Sequence, residues 1–199
     1  MTYTWKQLVD RCLVSIDASR VALTKFLQEA EVELTRKVNI LESSYVDNSC
    51  STSRLTLPPQ FKEITAVYID GILAKKMDLI ELELDNSNSV RSGTPNRYTV
   101  ETGHIAGTPV NYILFDKTPS NVKIKIYYYA LSIKPDVNQG PIIPRQFQPD
   151  LCLYANHMAT RKLSPELSTQ YLQEWMLAIE NIKGEDADRD MIYQIKEEI

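Results

Sequence analysis

The sequence predicts an α+β protein in which N- and C-terminal helices form a helical bundle with an inserted antiparallel β module. Apolar residues recur with the helical period in the first 42 residues, and the period returns after residue 145. The stretch between them carries β-branched and aromatic runs separated by turn residues. Each helical end is too small to enclose a core alone, so we expect the two ends to pack together.

Domain boundaries follow from these changes in pattern. The predicted helical domain comprises residues 1–42 and 145–184, and the inserted β module comprises residues 43–144. Residues 185–199 are predicted to form an acidic C-terminal tail.

Two amphipathic helices are predicted at the N-terminus, arranged as a helical hairpin. Thr4 and Gln7 have the spacing of a capping box, in which each side chain accepts the other residue's backbone N–H. A second helix begins after Asp17 or Ser19, and the helical period continues as far as Leu41.

The β module begins with a polar, turn-rich segment, residues 43–53. The run at 63–69, followed by Asp70-Gly71 and a second apolar run, indicates a hairpin, because glycine accepts the positive φ of a type I′ turn. Residues 78–85 are compatible with either a strand or a short helix.

Three further strands are predicted at 97–101, 110–116 and 122–130. The turns between the first two of these strands are assigned to Gly103, Gly107 and Pro109. The module therefore has about five or six strands, and the last of them alternates most clearly between apolar and polar residues.

A proline-bearing connector at 132–148 leads back to helical sequence, which resumes at Leu151. The last long helix is predicted to open at Ser164-Pro165-Glu166, because serine is a good N-cap and proline suits the first turn. Gly184 is a candidate C-cap.

Charge is distributed unevenly along the chain. The net charge is −4, and residues 185–199 hold six acids and two bases, so the remainder has 20 of each sign. A neutral body argues against dedicated DNA or RNA binding, which depends on a basic surplus. The sequence has no signal peptide pattern and no apolar run long enough to span a bilayer, so no membrane partner is expected.

The residues that usually carry chemistry are sparse. His104 and His157 are isolated from other ligand-type residues at metal-binding spacing, and no nucleophile elbow or phosphate-binding loop occurs. The three cysteines are widely spaced and are expected to be reduced. We therefore expect no metal, no cofactor and no enzymatic activity, although a serine or cysteine could still meet a histidine in space.

Tyr127, Tyr128 and Tyr129 leave a second hypothesis open. Strand alternation places Tyr128 on the apolar face and the other two tyrosines on the lysine face. The chain could accordingly be a non-catalytic binding module for a glycan or a peptide. A third hypothesis is a small hydrolase whose site is assembled in space.

The C-terminal tail combines an acidic linker with apolar residues that cannot form a core of their own. Three states are open to this cluster: disorder, folding back on its own chain, or docking on a partner. Docking on another chain is the hypothesis taken forward, because large apolar side chains are rarely left in water. The candidate partner-binding residues are Met191, Ile192, Tyr193, Ile195 and Ile199.

The order of elements resembles that of the podovirus-type head-to-tail adaptors of tailed bacteriophages. The resemblance is carried by the hairpin AVYIDGILAKK, which contains Tyr68, and by Pro95-Asn96-Arg97-Tyr98. It continues through NYILFDKTPS and VKIKIYYYA to the proline-led helix IIPRQFQPDLCLYANHMATRKL. It covers most of the chain as a rhythm of strands, turns and helices.

The resemblance implies a virion structural protein of the neck, made in the host cytoplasm. Such adaptors form a ring, dodecameric in relatives, that joins the portal protein to the tail or a gatekeeper protein. DNA passes through the ring during packaging and ejection without sequence-specific binding. In relatives a terminal segment docks on the portal, which would assign that role here to the cluster from Met191 to Ile199.

Overall fold

The computed structural model describes residues 2–86, 91–133, 135–136 and 138–197, and it describes no side chains at 85–86 or 186–197. The chain is α+β and divides into two compact units. The helical unit comprises Met1–Leu41 and Leu131–Ile199, and the β unit comprises Glu42–Ala130. The predicted β module extends to residue 144, whereas the connector from residue 131 onward groups with the helices.

The helices of the described residues are α1 (Trp5–Leu13), α2 (Arg20–Lys37), α3 (Leu79–Asn86), a 3-10 helix (Arg145–Asp150), α4 (Leu151–Thr160) and α5 (Pro165–Glu197). The strands are β1 (Glu42–Cys50), β2 (Arg54–Thr56), β3 (Phe61–Ile69), β4 (Ile72–Leu73), β5 (Lys75–Lys76), β6 (Arg97–Ile105), β7 (Thr108–Phe115) and β8 (Val122–Ala130). Of the helices, only α3 belongs to the β unit.

The N-terminal helices begin where their caps predict. The capping box is confirmed: Gln7 N donates to Thr4 Oγ1 at 3.2 Å, and Thr4 N donates to Gln7 Oε1 at 2.8 Å. Ser19 caps α2. The predicted continuation of α2 to Leu41 is wrong, because the chain is extended from Val38 (φ −132°, ψ 155°) and buries Val38 and Ile40 alternately instead.

The helices share one apolar core, to which both parts of the helical unit contribute. Its fully buried members include Leu8, Leu23, Leu27, Leu34 and Leu151. Trp175, Ile179 and Ile182 attach α5 to the same core at the spacing of one helix face.

The connector between the β unit and the 3-10 helix is bound to α2 through a buried carboxylate. Ser132 Oγ donates to Glu31 Oε1 at 2.6 Å, and Ile142 N donates to Glu31 Oε2 at 3.2 Å. Ser132 N donates to Thr35 Oγ1 at 3.0 Å. Residues about 100 positions apart in sequence are therefore held together by side chains inside the helical unit.

A second buried side chain, Gln148, fixes the other end of this connector. Its amide nitrogen donates to the carbonyl oxygens of Ile143 at 2.8 Å and Pro141 at 3.3 Å, and its Oε1 accepts from Tyr3 N at 2.9 Å. Gln148 is fully buried, so each of these bonds replaces a bond to water that the fold has removed.

The β unit contains two four-stranded sheets, ordered β1-β8-β3-β4 and β2-β7-β6-β5. All strand pairs are antiparallel except the two-residue pair β5–β6. Strand β8 is central in the first sheet and pairs with β1 and β3 along its length. Its predicted alternation is confirmed, with Val122, Ile124, Ile126 and Tyr128 buried.

Two tight turns connect these strands. The predicted Asp70-Gly71 hairpin is confirmed, with φ values of 50° and 84°. The turn between β6 and β7 is Ala106-Gly107, also with positive φ at both residues. Assigning turns to Gly103 and Pro109 is wrong, because both lie in paired strands. A Cβ on Gly103 would lie 2.9 Å from Tyr112 Cε2, so the Tyr112 ring approaches the backbone too closely for a larger residue at this position.

Other segments differ from the pattern of the sequence. The polar, turn-rich segment 43–53 contains strand β1, an edge strand whose exposed positions are polar, so its hydrophobicity is low. The ambiguous segment 78–85 is helix α3, which buries Leu82. Gly184 is not a C-cap, because α5 continues through it to Glu197 and glycine destabilises a helix interior by only about 1 kcal/mol.

Candidate partner-binding surfaces

Four of the five predicted docking residues belong to the C-terminal part of α5. The helix includes positions 191, 192, 193 and 195, whose side chains are not among those described, and Ile199 lies outside the described residues. The helix is fixed in the core as far as Ile182. Fifteen further residues to Glu197 correspond to about 22 Å of helix at 1.5 Å per residue.

The structure brings one serine and one histidine together in the helical unit. Ser168 Oγ lies 2.9 Å from His157 Nδ1, and Nδ1 lies 3.0 Å from the carbonyl oxygen of Ser168. A carbonyl oxygen only accepts, so Nδ1 carries the proton, and the Ser168 hydroxyl donates to the carbonyl oxygen of His157 at 3.1 Å. In this arrangement Nδ1 cannot take a proton from Ser168, and the pair fastens the start of α5 to α4.

Two of the three free cysteines meet inside the helical core. The Cys12 thiol donates a hydrogen bond to Cys152, and this bond together with burial raises the pKa of Cys12. Cys152 Sγ donates to the carbonyl oxygen of Leu8 at 3.6 Å. A neutral, buried thiol is a poor nucleophile, so Cys12 functions as an apolar core residue.

The second histidine and the other residues of metal-ligand type form no metal site where the structure describes them. His104 lies in β6 opposite Pro109. Within the described ranges, no group of three or more His, Cys, Asp or Glu side chains is placed to hold a metal ion. Among the helices in the described part of the chain, none is both long and apolar enough to cross a membrane.

Only one ring of the tyrosine run at 127–129 is exposed. Tyr127 is 37% exposed, but Tyr129 is buried at 7% exposure. Positions 127 and 129 share a side of the strand, as the alternation predicts, but the buried Tyr129 offers no exposed ring there. Burial itself stops alternating at the end of β8, where Tyr128, Tyr129 and Ala130 are buried in succession.

A different set of residues forms a face on the first sheet, which we call the tyrosine–lysine face. It consists of Tyr68 on β3 and Lys123, Lys125 and Tyr127 on β8, which with Gly71 line an open cavity of about 380 Å³. The rings of Tyr68 and Tyr127 meet edge to face with centroids 6.0 Å apart. Lys125 Nζ lies 4.4 Å from the centroid of Tyr127, a cation–π contact.

A second distinctive surface is the outer side of α3, which we call the acidic α3 face. Leu82 is buried, while Ile80 and Leu84 are 72% and 67% exposed. At 100° per residue these two lie together opposite Leu82, and Glu81 and Glu83 flank them on either side. Sequence reasoning missed this face because the helix itself was ambiguous.

The fold and these surfaces describe an α+β protein with a discontinuous helical unit and a β unit that presents amphipathic faces. The family model of the SU10 adaptor protein matches residues 2–194 and therefore both units. The chain belongs to the SU10 adaptor family, a family of phage head-to-tail adaptors. The resemblance found in the sequence is thus confirmed, and the chain is a structural adaptor protein of a bacteriophage. No curated protein matches the chain.

Proposed function

We propose that the chain is a subunit of the adaptor ring that joins the portal to the tail and lines the DNA channel in the virion neck. The observation that carries this proposal is the family match over residues 2–194, which spans the helical and the β units alike. The ring is proposed to be homo-oligomeric, with twelve copies, and to be assembled from subunits made in the host cytoplasm.

The charge of the body supports the proposed channel. Outside residues 185–199 the chain has as many basic as acidic residues, 20 of each. Proteins that hold DNA release counterions through many phosphate contacts, and their affinity follows the number of basic groups involved. A neutral wall suits DNA that must move during packaging and ejection without being retained.

The helical unit is proposed to be a bundle that carries the portal contact through the end of α5. Met191, Ile192, Tyr193, Ile195 and Ile199 are the proposed docking residues. Three features support this assignment: the apolar cluster itself, the attachment of α5 to the core, and the helical backbone that continues to Glu197. An anchored helix loses less conformational freedom on docking than a disordered tail would. The β unit is proposed to face neighbouring copies and the tail or gatekeeper protein.

Light scattering on a sizing column tests this function. The full chain and a chain ending at Gly184 are each mixed with the portal protein encoded in the same phage genome. The full chain should co-elute with the portal in many copies, whereas the shortened chain should bind at least about tenfold more weakly, since it loses all five apolar residues. The shortened chain retains Trp175, Ile179 and Ile182, so it should keep its fold.

A control variant separates apolar docking from charge. Replacing Glu185, Asp186, Asp188 and Asp190 by their amides leaves the five apolar residues in place and should preserve portal binding. Equal portal affinity of the full and shortened chains contradicts the docking assignment. A full chain that does not bind the portal at all contradicts the proposed function itself.

A further inference from the structure

The tyrosine–lysine face and the acidic α3 face belong to the same unit but to different parts of it. The tyrosine–lysine face is formed by β3 and β8 of the first sheet. Helix α3 contacts β6, which belongs to the second sheet. One copy of the chain therefore carries two separate surfaces, and neither is self-complementary in charge.

The two surfaces complement each other in both charge and polarity. One has two aromatic rings beside the ammonium groups of Lys123 and Lys125. The other has two exposed aliphatic side chains between the carboxylates of Glu81 and Glu83. An amphipathic helix binds a groove by placing its apolar residues at the centre and its charges at the rim, which matches this distribution.

We propose that the acidic α3 face of one copy of this chain docks on the tyrosine–lysine face of a second copy. Ile80 and Leu84 lie against the rings of Tyr68 and Tyr127 in this contact, and Glu81 and Glu83 face Lys123 and Lys125. In the proposed ring, this contact is the one that joins neighbouring copies, so the proposal rests on the proposed function.

The surroundings of the two lysines favour a protein partner over a nucleic acid. The neighbouring carboxylate of Asp70 accepts the backbone N–H of Lys123 at 2.8 Å, so a negative charge already lies beside the face. The body as a whole is neutral, whereas nucleic acid binding relies on a basic surplus. An aliphatic pair flanked by acids uses both the rings and the ammonium groups, which a phosphate alone would not.

The contact is heterologous, because each copy donates α3 on one side and receives α3 on the other. Such contacts propagate from copy to copy, and they close into a ring when the rotation between copies divides a full turn. The proposal therefore predicts an assembly without pairwise two-fold contacts between the same faces.

Charge reversal on the two faces tests the contact. One variant carries Glu81→Lys and Glu83→Lys, a second carries Lys123→Glu and Lys125→Glu, and a third carries all four changes. Self-association of the full chain is measured by sedimentation equilibrium at low ionic strength. Each double variant should associate at least about tenfold more weakly than the unaltered chain, since like charges then face each other.

Complementation then separates this contact from misfolding. The fourfold variant restores opposite charges and should regain association, and an equimolar mixture of the two double variants should also associate. As a control matched to Lys123→Glu with Lys125→Glu, the pair Lys6→Glu with Lys162→Glu makes the same change in net charge at exposed sites of the helical unit and should leave association unchanged. Association should also weaken as salt is raised, because exposed charges are screened.

Three results would overturn the contact. They are an unaltered chain with no association tighter than about 1 mM, a fourfold variant as weak as its double parents, and a control variant that loses association equally. Portal binding is measured separately on the sizing column. Failure of portal binding with intact complementation contradicts the adaptor ring, whereas failure of complementation with intact portal binding contradicts only the α3 contact.

Discussion

The two units stabilise their irregular segments in different ways. In the helical unit the connector after residue 131 is bound by the buried side chains of Glu31, Thr35 and Gln148. In the β unit the reversals at Asp70-Gly71 and Ala106-Gly107 are fixed by positive φ values and by the strand ladders on either side. The connector of the helical unit is thus held in place by particular buried side chains. The turns of the β unit are held by backbone conformation, which only a few residues determine.

This difference predicts where each unit is sensitive to substitution. A buried polar side chain that holds several backbone groups has no close substitute, because its loss leaves those groups without partners away from water. A turn needs only a residue that tolerates the left-handed region, which glycine does best and asparagine does acceptably. Both tryptophans, Trp5 and Trp175, lie in the helical unit, so tryptophan fluorescence follows that unit alone.

The largest effect is expected from Gln148→Ala. It removes the partner of Tyr3 N and of two carbonyl oxygens, and it should lower the free energy of unfolding by about 3 kcal/mol. Urea unfolding followed by tryptophan fluorescence measures the change. The control is Gln173→Ala on the exposed side of α5, which should change stability by less than about 0.5 kcal/mol. Equal effects of the two variants would contradict the claim that the helical unit depends on buried polar side chains.

A pH dependence is expected from Glu31. Burial raises the pKa of this carboxyl, and the hydrogen bonds from Ser132 and Ile142 only partly oppose the effect. The folded state then binds the proton more tightly than the unfolded state, so stability falls as pH rises from about 4.5 through the raised pKa. The loss is about 1.4 kcal/mol per unit of pKa difference.

Urea unfolding by tryptophan fluorescence between pH 4 and 8 measures this dependence. Glu31→Gln removes the ionisation and should flatten the profile over that window relative to the unaltered chain. If the two profiles have the same slope, another group causes the pH dependence of stability and the assignment to Glu31 is wrong.

The smallest effect is expected in the β unit, from Gly107→Ala. The position has φ +81°, and nothing lies within 4 Å of an added Cβ, so the penalty is purely one of backbone conformation, about 1 kcal/mol. Gly107→Asn should lose less, because asparagine tolerates this region better. Hydrogen exchange of the β6 and β7 amides, followed by mass spectrometry, measures the local loss. A loss as large as that of Gln148→Ala would remove the contrast between the units.

Local signals in the sequence were sufficient for several elements. The capping box at Thr4, the Asp70-Gly71 turn and the alternation of β8 each involve neighbours within a few positions, and each is confirmed. Strand β1 was not recognised, because an edge strand with polar exposed positions lacks an apolar pattern. The end of α2 was also misplaced, because Val38 satisfies a helical period and an extended one equally well.

Contacts between distant parts of the chain left no local signal. Glu31 and Ile142 are 111 positions apart, and neither residue type is unusual in its own segment. The tyrosine–lysine face combines Tyr68 with residues near position 125, so it could not be recognised before the strands were paired. The acidic α3 face depended on choosing a helix where alternation also allowed a strand.

The discontinuity of the helical unit has a consequence for how the protein is made. The β unit is contiguous, from Glu42 to Ala130, and its contacts can form as soon as that stretch has been synthesised. Helices α1 and α2 are synthesised before it, but the core that they share with α4 and α5 is completed only after Ile182. At about 5 to 20 residues per second, the stretch from the end of α2 to Ile182 takes about 7 to 30 s to synthesise, and the apolar faces of α1 and α2 lack these partners for that time. Helices α1 and α2 are thus made before the β unit but are buried only after it, so their apolar faces are the surfaces that a host chaperone would meet.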